Sequence, residues 1–191
     1  MKEEQWINAD EEVRSILEMI EGKGEGGVSR EGLQETPGRV SRAYSEMFKG
    51  YKGDVQGVLS RQFEAEGSGL VIVKDIEFNS MCEHHVLPFI GVAHIGYVPG
   101  DKIVGLSKLA RVVDIYANRL QVQERLQTQV VEAIMKYVRP KGVAVIFEAK
   151  HQCMSIRGVK KPSAVTITTS YRGDFLHYPE LKKEFLFLVK G

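Results

Sequence analysis

An α+β fold built on an antiparallel sheet is predicted by three features of this 191-residue sequence. First, β-rich runs and helical runs do not alternate one for one, so a doubly wound parallel sheet is disfavoured. Second, from residue 70 onward the order reads strand, strand, helix, helix, strand, strand, with two helices in front. Third, 43% hydrophobic and 27% charged residues describe a globular chain long enough to bury a sizeable core.

The elements follow from periodicity. Val13, Ile16, Leu17 and Ile20 recur at three- and four-residue steps, predicting an amphipathic helix over 9–21. Gly22-Lys23-Gly24-Glu25-Gly26-Gly27 breaks it. The formal G-x-G-x-x-G there, at Gly22, Gly24 and Gly27, follows a helix rather than a strand, so it reads as a connector and not a dinucleotide fingerprint. A second helix is expected from Thr36-Pro37, with Thr36 as cap and Pro37 in the first turn, to about Phe48. Residues 50–69, with five glycines and no period, read as a loop.

Leu70–Val73 and Ile76–Phe78 predict one strand and Phe89–Val98 a second, closed by a turn at Pro99-Gly100-Asp101. A helix is expected over Ser107–Asn118, with Leu109, Val112, Val113 and Tyr116 apolar, and a longer one over Gln121–Val138. Pro140-Lys141-Gly142 breaks the chain before two further strands, Val143–Lys150 and Val165–Tyr171, and a last helix over Pro179–Val189. Residues 1–68 thus form an N-terminal helical extension and 69–191 the sheet-bearing domain.

Composition narrows the function. No apolar run approaches the roughly 18 residues of a membrane span, and the acidic start lacks the apolar stretch of a signal peptide. Two cysteines exclude a disulfide scaffold and predict a reducing, cytoplasmic setting. A net charge of +1 offers no field for nucleic acid. The charge is uneven: residues 1–36 carry ten acidic and four basic side chains, so the main body is basic and suits an anionic small molecule or a self-contact.

Both cysteines lie beside histidines, in Met81-Cys82-Glu83-His84-His85 and in His151-Gln152-Cys153. Thiolate and imidazole are zinc ligands, and catalytic zinc takes three protein ligands plus water. Cys82 and His85 have chelating spacing; Cys153 completes a triad if the first and third strands end near each other. A fourth protein ligand from His84, His151 or Glu83 would make the zinc structural, and a Cys82–Cys153 disulfide or two inert buried thiols are the other readings. Gly105-Leu106-Ser107-Lys108-Leu109-Ala110-Arg111 opens a helix, with Ser107 at the expected cap and Lys108 and Arg111 on one face, an arrangement suited to phosphate. Arg157-Gly158-Val159-Lys160-Lys161 adds cations after the second Cys-His locus. Glu124 in a first turn fits dipole compensation. No P-loop string and neither deaminase string, H-x-E or P-C-x-x-C, occurs.

Taken together, the chain resembles the GTP cyclohydrolase I family. The resemblance rests on Glu35-Thr36-Pro37-x-Arg39-Val40, Ser80 to His85, Gly105 to Arg111, Gln121-Val122-Gln123-Glu124-Arg125-Leu126, His151-Gln152-Cys153-Met154 and Arg157-Gly158-Val159, in the family's order over residues 35–173. It implies the tunnelling fold: a four-stranded antiparallel ββααββ sheet with two helices on one face, assembled into a homodecamer with pockets between subunits. It also implies conversion of GTP and water to formate and 7,8-dihydroneopterin triphosphate, the first step of tetrahydrofolate or pterin synthesis. The alternative is a tunnelling-fold protein that binds a purine or pterin without turning it over.

Residue roles are implied by the same match. Cys82, His85 and Cys153 would hold Zn2+, which brings the pKa of bound water to about 7 for attack at C8 of guanine. His84 and His151 would shuttle protons. Glu124, with Gln123 beside it, would accept from the guanine N–H edge, and Ser107 would contact the ribose. Lys108, Arg111 and Arg157 would hold the triphosphate, assisted by Arg39 and by Arg42, where many relatives carry Lys. No nucleic-acid or membrane partner is implied.

Overall fold

The computed structural model describes residues 5–22 and 28–191. The glycine connector lies outside the described residues except for Gly22. The chain forms two compact units, Met1–Lys49 and Gly50–Gly191.

The first unit holds α1 (Asp10–Glu21), α2 (Glu31–Gln34) and α3 (Thr36–Met47). Two buried serines of α3 tie the N-terminal segment down. The Ser45 hydroxyl accepts from the backbone N–H groups of Trp6 and Ile7, and the Ser41 hydroxyl accepts from that of Ala9. Trp6 Nε1 donates to the Ser45 carbonyl at 2.9 Å. α3 starts where Thr36-Pro37 predicts, but Thr36 is not its cap. Its hydroxyl donates back to the Gly32 carbonyl, because α2 precedes α3 almost directly and supplies that acceptor. The apolar stripe of α1 is covered only in part: Val13 and Leu17 are half-buried, whereas Ile16 and Ile20 are 51% and 71% exposed.

In the second unit the expected loop over 50–69 is partly ordered. After a 3-10 turn at Lys49–Lys52, α4 (Val55–Ser60) and β1 (Gln62–Glu64) form. Asp54 caps α4 by accepting from the Gly57 N–H at 2.9 Å, and Val55 and Leu59 enter the core. This helix is too short to show a period.

The long elements follow the expected order, with the unforeseen short β4, β5, α7 and α8 between them: β2 (Val71–Cys82), β3 (Leu87–Val98), β4 (Lys102–Val104), α5 (Leu106–Ala117), β5 (Leu120–Gln121), α6 (Gln123–Val138), β6 (Gly142–His151), α7 (Gln152–Ser155), β7 (Thr166–Gly173), α8 (Asp174–His177) and α9 (Pro179–Lys190). The principal sheet has the order β5-β2-β3-β6-β7. Its four long strands are antiparallel; only the two-residue β5 runs parallel, beside Met81 and Cys82. β4 pairs separately with β1.

Strand alternation assigns the two faces. Phe89, Ala93, Ile95 and Tyr97 of β3, and Val143, Val145, Phe147 and Ala149 of β6, pack with Leu109, Val112 and Val113 of α5 and Leu126, Val130 and Ile134 of α6. The intervening residues Val98, Ala144 and Ile146 face the other way and meet Phe175 of α8 and Phe185 of α9. The two long central helices therefore cover one face, as the tunnelling fold requires, and the C-terminal helix covers part of the other. Gly91 permits the close approach of β3 to β6, since a Cβ there would stand 1.9 Å from the Glu148 carbonyl oxygen.

β2 carries a bulge at Lys74-Asp75, where the register with β3 shifts and Asp75 turns left-handed at φ 59°. The Asp75 N–H liberated from the ladder donates to Nδ1 of the buried His94 at 3.1 Å. No helix among the described residues is long and apolar enough to cross a membrane.

Candidate metal centre and substrate site

Sheet register builds the site. Cys82 ends β2 opposite Leu87, so residues 83–86 form the turn into β3. Two residues into β3, Phe89 pairs with His151, the last residue of β6. The end of β6 is thereby brought to the β2–β3 turn, and α7 carries Cys153 against it. The condition that the first and third long strands end near each other is met by one intervening strand.

The ligand atoms of Cys82, His85 and Cys153 all lie within 4.8 Å of one another. Cys82 Sγ is 3.8 Å from His85 Nδ1. Tetrahedral zinc with bonds of about 2.0–2.3 Å has ligand–ligand edges of about 3.3–3.8 Å. The trio thus needs to contract by at most about 1.5 Å to close on an ion. Two thiolates and an imidazole form a soft donor set that suits zinc rather than magnesium or manganese. Both cysteines are free thiols in this structure. Burial pushes the Cys153 thiol up, as does the neighbouring Cys82, and Arg157 pulls in the opposite direction. A cation at the centre reverses that penalty, because it holds both sulfurs as thiolates. The turn also keeps Val86 at φ 51°, an uncommon conformation for a β-branched residue.

The other histidines differ. His84 is exposed, with Nδ1 3.9 Å from Cys82 Sγ and Nε2 3.9 Å from a Glu83 carboxylate oxygen. His151 lies flat on the fully buried Phe89 ring, centroids 4.6 Å apart and planes 5° from parallel. Burial lowers its pKa, with the charge of Glu124 acting the other way. Glu124 is therefore close enough to be felt at His151, and it is exposed at the start of α6. Gln123 is 1% exposed and is occupied within the chain, its amide bonded to β6, to β7 and to His151.

An ion pair unforeseen from the sequence locks these parts together. Arg125 makes a two-pronged contact with Glu83, one arm of it at 2.9 Å, and holds the Glu83 carboxyl below its usual range. The metal turn is thus joined to the first turn of α6. The two residues are 42 apart, and nothing in local pattern pairs them.

Ser107, Lys108 and Arg111 stand on the first turns of α5, with Ser107 and Arg111 exposed. Ser107 is not the cap: Gly105 precedes the helix and no side chain caps it, because the chain enters α5 directly from β4. The other end of α5 is held at the metal side, where Ser80 Oγ donates to the Ala117 carbonyl at 2.7 Å. At about 1.5 Å per residue, Ser107 lies about 15 Å along the axis from Ala117. Arg157 follows α7 near Cys153. Arg39 and Arg42 share an exposed face of α3 in the first unit.

Fold and site define a tunnelling-fold protein with a Cys-His-Cys centre able to hold a metal. The sequence profile of the family described as GTP cyclohydrolase I matches residues 9–190. A GTP cyclohydrolase 1 of Deinococcus radiodurans is 53% identical over 163 residues, covering 85% of this chain and 76% of that protein. A GTP cyclohydrolase 1 of Clostridium perfringens is 48% identical over 179 residues, covering 94% and 95%. Among solved structures, the archaeosine synthase QueF-Like in the apo form is 18% identical at a TM-score of 0.47, covering 56% of this chain and 97% of that one. The chain belongs to the GTP cyclohydrolase I family, and its enzymatic activity is that of a GTP cyclohydrolase.

Proposed function

We propose that this protein converts GTP and water to formate and 7,8-dihydroneopterin triphosphate with zinc held by Cys82, His85 and Cys153. The observation that carries the reading is the convergence of those three ligands from two loci beside His84 and His151, in a chain of this family. Zinc at that centre supplies Lewis acidity and an activated water. The residues do the rest. His84 and His151 exchange protons with the opening imidazole ring and the departing formyl group. Glu124 accepts from the guanine N–H edge, each charge-assisted bond contributing roughly 1.5–3 kcal/mol. Ser107 contacts the ribose. Lys108, Arg111 and Arg157, with Arg39 and Arg42, bind the triphosphate.

The test is product analysis. GTP should yield formate and a pterin that keeps all three phosphates, and a chelator should stop turnover. Free phosphate or GDP as the main product would overturn the reading, and GTP recovered unchanged would favour a binding protein.

The active unit is a homodecamer with pockets shared between subunits. Two observations support this. The outer edges of β2, from Val71 to Ser80, and of β7 have no strand partner among the described residues, and open edges call for pairing or cover. Ser107, Lys108 and Arg111 sit on the turns of α5 remote from its anchored end, which suits a pocket on the neighbouring chain. Co-assembly of inactive His84→Ala with inactive Arg111→Ala should restore part of the turnover. A fully active monomer would refute shared pockets.

A further inference from the structure

Gln123 makes a set of bonds that admits only one orientation of its amide. Nε2 faces three acceptors: the Phe147 carbonyl at 3.0 Å, the Thr166 carbonyl at 3.0 Å and Thr168 Oγ1 at 3.2 Å. Oε1 faces His151 Nε2 at 2.8 Å. Turning the amide over would set Oε1 against two carbonyl oxygens that can only accept, leaving a buried repulsion. The amide nitrogen is therefore the donor to β6 and β7, and Oε1 must accept from His151.

An imidazole whose Nε2 donates carries its proton there, so in the neutral ring Nδ1 holds the free lone pair. The ring cannot swivel away from this bond without leaving the face of Phe89, on which it lies 5° from parallel. Orientation and tautomer are thus fixed together, one by stacking and one by the amide.

We propose that Gln123 is a positioning residue for His151, holding the ring in the Nε2–H tautomer and flat on Phe89, so that the Nδ1 lone pair is the one left free. This rests on the proposed role of His151 in formate release. Gln123 thereby acts through His151 rather than on the guanine edge beside Glu124.

The experiment begins with the intact wild-type protein. Long-range proton–nitrogen NMR of 15N-histidine-labelled protein, above the range where imidazoles protonate, should show His151 with Nε2 protonated and Nδ1 bare. An Nδ1–H tautomer overturns the proposal, whatever the protein does with GTP. The second arm is Gln123→Met, of similar length but unable to hydrogen-bond, with Gln123→Glu as the conservative variant that keeps an acceptor for Nε2–H. In Gln123→Met the tautomer should become mixed and kcat should fall about 10–100-fold, the scale for partners that orient a functional histidine. KM for GTP should stay within about twofold, and Gln123→Glu should recover part of kcat. A KM increase at unchanged kcat would assign Gln123 to the base and overturn the proposal. If Gln123→Met does not fold, the wild-type tautomer still decides. Wild type that releases no formate, yet shows the Nε2–H tautomer, would fail the proposed function and leave the histidine geometry standing.

Discussion

Replacing Phe89 by alanine should strike stability and turnover together, and by an amount that the structure sets. The ring is fully buried. It meets Phe78 edge-on with centroids 6.0 Å apart, and the His151 ring lies flat against it at 4.6 Å. Removing a buried phenylalanine ring costs about 3–5 kcal/mol, through lost transfer energy and the cavity left behind. In a chain of this length each kcal/mol lowers Tm by about 2–4 °C, so a drop of roughly 6–20 °C is expected. Phe89→Leu keeps most of the volume and should cost about 1–1.5 kcal/mol. Turnover should follow a different order. Both variants remove the flat partner of His151, so both should lose formate release, even where the leucine variant is nearly as stable as wild type. Thermal unfolding by circular dichroism and a formate assay on the same samples provide the comparison. A Tm for Phe89→Ala within about 2 °C of wild type would refute the packing argument. A fully active Phe89→Leu would refute the claim that stacking positions the histidine.

Three further outcomes are expected. Cys82→Ser, His85→Ala and Cys153→Ser should each lose bound zinc by elemental analysis and lose turnover while remaining folded, since the core cluster, which Cys82 joins and Cys153 packs against, is otherwise built from apolar residues of the sheet and helices; a variant with full metal content and activity would remove that residue from the ligand set. Glu124→Gln should weaken selection for guanine and leave metal content unchanged, because an amide presents a donor where the carboxylate accepts; equal GTP use by both proteins would return Glu124 to a helix-start role. Stability should fall as pH drops below about 6.5, the ordinary histidine value, because burial lowers the pKa of His94 against the pull of Asp75 and Glu148, with Lys74 adding to the lowering. The folded state prefers the neutral ring, so the contribution is present above the unfolded pKa and is lost as acid protonates the unfolded chain more readily. His94→Gln, which keeps an acceptor for the Asp75 N–H, should flatten the pH slope of Tm, and an unchanged slope would acquit His94.

Sequence by itself determined the long elements and the chemical inventory. Helices α1, α3, α5, α6 and α9 and the four long strands were legible, because each has several apolar residues at one period and a breaker at its end. The Cys-His loci were legible because both thiols of the chain stand beside histidines. Elements of two to six residues, such as α4, β1, β4 and β5, were not, since so few positions cannot display a period. Three partnerships were decided only by tertiary structure. Cys153 joins Cys82 and His85 because β3 lies between β2 and β6 and pairs Phe89 with His151. Arg125 meets Glu83 because β5, just ahead of α6, pairs with Met81 and Cys82 at the end of β2. Gln123, which the family resemblance set beside Glu124 at the guanine edge, has its side chain buried, because residues adjacent in a helix point about 100° apart. Periodicity is a local property of the chain, whereas a site is an agreement among strand ends, and only register across the sheet can set it.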